Sequence, residues 1–403
     1  MDRREFLKDT ALLTGAILLS GCKTISGNTG RQVDREPNQQ QDISGIPTAE
    51  LHRHLEAGLS PETIAILGQK NRITQIKSSK GEILPVDPQD PDSIRTYYKN
   101  LIPGLTTPDG FMKFLASFAV PLSVIKSLED LSEATRRQVL EQAAKGCLHL
   151  ELRGSPYTYQ SSIKDNPPYE EIIGAIRSGM GKAYDETEAS ASYIACFSRQ
   201  KAGQFGKEVV DTVVKTNTAD SPIGIDIAGV EPGFPPSKFK DILAPAIEAK
   251  VPMTIHAGEQ SPPPNFKETP ASFIREAIDL GAKRIGHGTS LISDMELMEY
   301  CRQNGIHIEA CPESNQALGY MPIASHPLGK FLRYGLSASV STDDPLMFND
   351  NSVRELLKNN MEALKITPDD VAQMTRHAIN AAFVSEKRRE ELTRKFNSLC
   401  PRK

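Results

Sequence analysis

From about residue 46 onward, short apolar runs alternate with longer helical patterns, and this alternation constrains the fold more than any other feature of the chain. Eight runs read as strands: residues 49–55, 147–153, 192–197, 223–228, 252–256, 284–288, 305–311 and 336–341. Several are apolar on both faces, as strands of a sheet covered on both sides must be. Residues 169–184, 237–249, 270–280 and 293–303 between them read as helices. Repeated strand–helix units predict a parallel α/β fold, and eight of them predict a (β/α)₈ barrel. An open doubly wound sheet is the rival. No G-x-G-x-x-G opens a helix after a strand, so a dinucleotide-binding version has no support.

The first connection breaks the rhythm. Residues 56–146 separate strands one and two, far more than an ordinary βα loop needs. Residues 111–117 and 132–145 within it read as helical, so a helical insertion after strand one is expected. Placed above the barrel, Phe111, Phe114, Leu115 and Phe118 form an apolar lid; the plainer reading gives them a local core.

The N-terminal end follows different rules. Arg3 and Arg4 precede an apolar run from Ala11 to Leu19, and Leu19-Ser20-Gly21-Cys22 follows. A basic start, a short apolar stretch and small residues before a cleavage point read as an export signal, too short to span a bilayer comfortably. The paired arginines resemble a twin-arginine signal, and the run ending in Cys22 resembles a bacterial lipobox, with Cys22 as the lipidated residue. Residues 23–45 hold almost no large apolar side chains and read as a flexible tether. This divides the chain into a signal (1–22), a tether (23–45) and a catalytic domain (46–403), exported and held at a membrane only by lipid. Hydrophobic residues at 38% and charged residues at 24% suit a soluble globular domain. With a net charge of −4 and no basic stripe, nucleic acid is disfavoured as a partner. The six cysteines form no C-x-x-C; Cys147, Cys301 and Cys311 read as small buried residues, with a disulfide open to them in an oxidising compartment.

Polar residues gather where the strands end, which is where a barrel keeps its active site. Strand one ends in His52-Arg53-His54, strand five in His256-Ala257-Gly258-Glu259, strand six in His287, and strand eight in Asp343-Asp344. Residues i and i+2 of a strand share a face, so His52 and His54 point inward together. Three neutral imidazoles and a carboxylate suit one Zn²⁺, and the ligand set read here is His52, His54, His256 and Asp343. A water then takes the remaining position, acidified by the metal. His287 is free to orient that water and accept its proton, Glu259 to protonate a substrate, and Asp344 to hydrogen-bond a substrate nitrogen. Any one of these histidines alone is more readily a satisfied core residue. Four of the eight histidines ending predicted strands argue jointly against that.

The segments 49–55 (AELHRHL), 150–156 (LELRGSP), 224–229 (GIDIAG), 254–259 (TIHAGE), 284–288 (RIGHG), 311–315 (CPESN) and 341–346 (STDDPL), with His326-Pro327, resemble the adenosine deaminase family. The resemblance implies a one-zinc (β/α)₈ amidohydrolase of the metal-dependent superfamily. In it a zinc-activated water adds to C6 of a purine nucleoside, Glu259 protonates N1, His287 handles the water proton, Asp344 holds N7, and the Gly229 N–H meets N3. Inosine or 2′-deoxyinosine and ammonia are the implied products. The family pattern His-x-His-x-Asp-Gly is altered here to Glu56 and Ala57, at the end of the pocket that meets the ribose. Adenine and 5′-modified adenosines therefore stand as alternative substrates. AMP is disfavoured, because no phosphate-binding Gly-rich loop is present.

Rival readings have weaker support. His149-Leu150-Glu151 matches the His-x-Glu of the other zinc deaminase class, yet no Pro-Cys-x-x-Cys accompanies it. His307 and His377 have no motif around them and default to structural roles. A two-metal hydrolase of the superfamily resembles this chain less, because strand four (223–228) contains no Lys to bridge the metals. A lipoprotein that binds nucleosides without turnover would need a broken catalytic set, and here every position is filled.

Overall fold

The computed structural model describes residues 42–78, 81–107, 109–260, 269–348 and 352–400. The expected export signal, Cys22 and all but the last four residues of the tether lie outside the described residues. Eight parallel strands run in sequence order: β1 Thr48–His54, β2 Cys147–Gly154, β3 Ser190–Ser198, β4 Ile223–Ala228, β5 Thr254–Ala257, β6 Arg284–His287, β7 His307–Ala310 and β8 Ser337–Val340. They form two four-stranded sheets, β1-β2-β3-β4 and β5-β6-β7-β8. One seam is bridged at Ile225 and Met253, where the Ile225 N–H donates to the Pro252 carbonyl at 3.0 Å. At the other, the Asp343 N–H donates to the His52 carbonyl (3.0 Å) and the His54 N–H to the Asp343 carbonyl (2.9 Å).

All eight expected strands are present, with shifted ends. β5 starts at Thr254 rather than at Pro252, which has no N–H to give a ladder. Residues 237–249, expected as one helix, divide into a 3₁₀ turn (Pro236–Phe239) and a helix (Lys240–Glu248) that carries Pro245 inside it.

Between β1 and β2 lie α1 Pro61–Lys70, α2 Pro91–Leu101, α3 Gly110–Ser117, α4 Ala119–Val124 and α5 Leu128–Ala144. α5 begins four residues before the expected 132, because Ser127 caps it by accepting the Asp130 N–H, with Glu129 and Asp130 in the positive first turn. It packs on helix Tyr169–Thr187 closely enough that a Cβ on Gly179 would sit 2.2 Å from the Ser132 carbonyl oxygen. In α3 the buried Phe114 ring stacks on Phe348, just beyond β8 (6.0 Å, 7°), and meets Phe118 edge-on at 5.2 Å. The aromatic cluster is thus a local core that borders the chain leaving Asp343 and Asp344.

The folded chain starts before Ile46. Ile43 is buried, and Arg354 donates to the carbonyls of Ile43 (2.8 Å), Ser44 (2.6 Å) and Ile46 (3.0 Å). Cys301 and Cys311 are buried as expected, whereas Cys147 is only half-buried; the five described cysteines are all free thiols. Among the described residues no single helix is long and apolar enough to cross a membrane.

Candidate active site

β1 turns Glu50, His52 and His54 toward one interior, and the ends of β5, β6 and β8 supply His256, His287 and Asp343. Ligand atoms of His52, His54, His256 and Asp343 all lie within 4.8 Å of one another. Asp343 Oδ1 sits 3.2 Å from His52 Nε2 and 3.4 Å from His54 Nε2. The His52 side chain is fully buried and that of His54 is 14% exposed, so the cluster opens to solvent on the His54 side.

Two positions are held in strained backbone. His287 (φ 61°) and Asp343 (φ 63°) occupy the left-handed region, which costs a non-glycine residue on the order of 1–3 kcal/mol. Asp343 is held there by its hydrogen bonds to both neighbours of Arg53, which aim its carboxylate back across β1.

A layer of charge below the cluster sets the imidazoles. His52 Nδ1 donates to Glu309 Oε2 (2.8 Å) and His256 Nδ1 to Asp226 Oδ2 (2.8 Å). Carboxylates only accept, so both rings turn Nε2 toward the pocket. Arg153 joins the two supports, with Nη1 on Asp226 Oδ2 (2.6 Å) and Nη2 on Glu309 Oε2 (2.7 Å). Arg284 follows, contacting Glu309 Oε1 and Glu151 Oε2 at 2.6 Å each, its guanidinium over Phe383. None of these five charged residues was assigned a role from sequence. For four of them the signal was available as a charged residue alternating with apolar ones inside a strand, in 150–153 (LELR), 225–227 (IDI) and 308–310 (IEA); Arg284 instead opens β6 behind Lys283.

The cluster suits a divalent cation. His52 Nε2 and Asp343 Oδ1 are buried and lack hydrogen-bond partners although they face each other. Burial and Arg153 press the His52 pKa down, yet Asp343 and Glu309 raise it above its ordinary value, so the site attracts positive charge. Glu151, Asp226, Glu309 and Asp343 all have carboxyls held below their usual range despite burial; among the described residues, Arg153 and Arg284 are the permanent cations paired with this group, and the other partners are imidazoles. Four anions against two cations leave two negative charges, which a divalent ion would neutralise.

The remaining predicted residues surround this cluster. Burial, then the charges of Asp343 and Glu231, push the pKa of Glu259 well above the carboxylate range. Its backbone N–H and that of Gly258 donate to the buried Glu231 carboxylate (3.0 and 2.8 Å). Asn315 Nδ2 donates to Glu259 Oε1 (3.1 Å) and lies 3.2 Å from His287 Nδ1, clipping the two together. Glu231 and Asn315 are further residues that sequence reasoning missed; Asn315 stood in a quoted segment without a role. Burial keeps His287 well below its ordinary pKa, and therefore neutral, and brings His54 down to about 3. Asp344 is raised well above its usual range by burial and by the charges of Asp343 and Glu56, and its Oδ1 has no partner. A protonated carboxyl there can donate to a ring nitrogen. Gly229 is left-handed (φ 97°) at the end of β4, where a Cβ would lie 2.5 Å from Gln200 Oε1. Glu56 is buried, raised in pKa by that burial, and accepts the Tyr159 hydroxyl at 2.5 Å. Away from the cluster, His307 bonds Ser337 and Ser339 (2.8 and 2.9 Å), and His149 bonds Ser190 (2.9 Å).

Comparison with known proteins agrees with this geometry. A sequence profile described as adenosine deaminase matches residues 47–398. The chain is 30% identical over 348 residues to the adenosine deaminase of Yersinia pseudotuberculosis, covering 86% of this chain and 96% of the relative. It is 28% identical over 344 residues to the adenine deaminase of Albidiferax ferrireducens, covering 85% and 90%. The crystal structure of adenine deaminase from Arthrobacter aurescens superposes with a TM-score of 0.72 at 28% identity, covering 88% of this chain and 98% of the other.

Proposed function

The chain belongs to the adenosine deaminase family, a metal-dependent hydrolase family, and from that premise we propose that it deaminates adenosine and 2′-deoxyadenosine with one Zn²⁺ in a closed (β/α)₈ barrel. One observation carries this reading: four residues whose ligand atoms lie within 4.8 Å of one another stand directly beside the buried Glu259 carboxyl, which comes within 3.2 Å of His287.

His52, His54, His256 and Asp343 would hold the zinc. When bound, it supplies a water whose pKa is brought toward neutrality. His287 Nδ1 lies 3.2 Å from Glu259 Oε1, and its Nε2 faces Asp343 Oδ2 at 3.9 Å on the pocket side, where the ring would handle the proton of that water. Glu259 keeps its own proton for N1 of the purine, where C6 becomes open to addition and ammonia departs. Asp344 donates to N7, and the Gly229 N–H meets N3.

Adenine is the second reading, favoured by the pair Glu56–Tyr159. By the family resemblance Glu56 stands where the ribose end is expected, its buried carboxyl is engaged by the buried Tyr159 hydroxyl, and two of the relatives are named adenine deaminases. The deciding experiment measures ammonia release from adenosine, 2′-deoxyadenosine, adenine and AMP, with and without a zinc chelator. Chelator-sensitive turnover of the nucleosides supports the first reading; turnover of adenine alone moves the enzyme to the second; no turnover of any of them overturns both.

We also propose that the chain is exported and anchored through a lipid on Cys22, a reading supported by the order Arg3-Arg4, apolar run, Leu19-Ser20-Gly21-Cys22. Membrane-fraction activity that becomes soluble on Cys22→Ala is the expected result; unchanged partitioning would sink the idea.

A further inference from the structure

We propose that the cluster contains a second metal position beside the first, formed by His287, Cys311 and Asp343, that takes a thiophilic divalent cation and stops turnover when filled. The inference rests on the proposed zinc reading, because the two positions share Asp343.

Ligand atoms of these three residues and of His52 beside them lie within 4.8 Å of one another, and all four residues are buried. The Asp343 carboxylate is divided between the two sets. Its Oδ1 faces His52 and His54, whereas its Oδ2 lies 3.9 Å from His287 Nε2. A carboxylate with two oxygens turned to different imidazoles can serve two cations at once. Zinc at the first position then leaves His287, Cys311 and the second oxygen for another ion.

Cys311 supplies the selectivity. It follows β7 directly, is fully buried, and its Sγ makes only a weak contact with the Glu309 carbonyl at 3.6 Å. Thiolate is the soft ligand of the set and favours Zn²⁺, and more so Cd²⁺, over Mg²⁺ or Ca²⁺. Binding exchanges the Cys311 S–H bond for a metal–sulfur bond and releases that proton to solvent. Once ligated, His287 has no free Nε2 and cannot accept the proton its proposed role requires.

The test uses the full chain loaded with zinc, then titrated with Cd²⁺. Near-ultraviolet absorption reads thiolate-to-metal charge transfer, elemental analysis reads zinc retention, and ammonia release reads activity. The expected result is one equivalent of Cd²⁺ bound with the thiolate band, zinc retained, and activity lost in step. Cys311→Ala abolishes the band and weakens Cd²⁺ inhibition by more than about 10-fold, since losing a direct ligand costs at least what losing an outer partner does. Cys311→Ser repeats the comparison in a side chain of similar size. Absence of the band, or equal Cd²⁺ inhibition in Cys311→Ala, overturns the second position. If the chain takes up no zinc at the outset, the main reading falls instead, so the two failures are distinguishable.

Discussion

Two buried polar layers lie one above the other within the same eight strands, and they differ in how completely they are satisfied. In the lower layer Arg284, Glu151, Glu309, Arg153 and Asp226 are charge-paired in series; Arg153 Nε and Glu151 Oε2 make no hydrogen bond, but Glu151 Oε2 faces the Arg284 guanidinium at 2.6 Å. In the upper layer His52 Nε2, Asp343 Oδ1 and Asp344 Oδ1 lack partners, and His287 and Asp343 sit in left-handed backbone. Buried polarity alone does not distinguish a scaffold from a site. Unpaired atoms and a strained backbone do, because folding alone would not maintain either without a gain elsewhere.

The comparison breaks if a change in one layer produces the other layer's symptom. The largest effect expected is chemical: Glu259→Gln removes the proton for N1, lowering kcat by about 10²–10⁴-fold while zinc content and Tm stay unchanged. Arg284→Met should do the reverse. It leaves Glu309 and Glu151 without a cation, costing roughly 3–5 kcal/mol of stability by urea unfolding. A stable Arg284→Met chain would show that the lower layer is not scaffold.

Between the layers, Asp226→Asn frees His256 Nδ1 from its fixed tautomer, and zinc affinity measured by chelator competition should fall about 10–100-fold. Acid stability separates them further. Burial holds His307 and His326 down to about 3 from an ordinary 6.5, so the unfolded chain gains protons that the folded chain does not. Their contribution is complete above pH 6.5 and declines as pH falls toward 3. His307→Gln should flatten part of that slope in urea titrations, with metal affinity unmoved. The smallest effect expected is at Glu56. Shortening it by Glu56→Asp should shift the KM ratio of adenosine to adenine by about tenfold or less, with kcat little changed.

Much of the upper layer was readable before the fold was known. His52 and His54 share a face because strand side chains alternate, and His256, His287 and Asp343 each end a run whose length and apolarity mark a strand. The lower layer was visible only as charges inside apolar runs, and their partners were not. Arg153 reaches Asp226 across 73 positions and Glu309 across 156, separations on which no local pattern bears. Asn315 was likewise a residue in a motif until the fold brought it to Glu259, 56 positions away. Glu56 stood out as a departure from a pattern, but its lock to Tyr159, 103 positions on, belongs to the packing.

The sequence alone determined the eight strands, their order and the residue types at their ends, because backbone periodicity is a local property of neighbours two to four positions apart. Only the tertiary structure decided which imidazole nitrogen faces the pocket, which carboxyls hold a proton and which oxygen of Asp343 serves which histidine. Those depend on desolvation and on charges brought within a few ångströms by folding, and both decline too steeply with distance to be written in the order of residues.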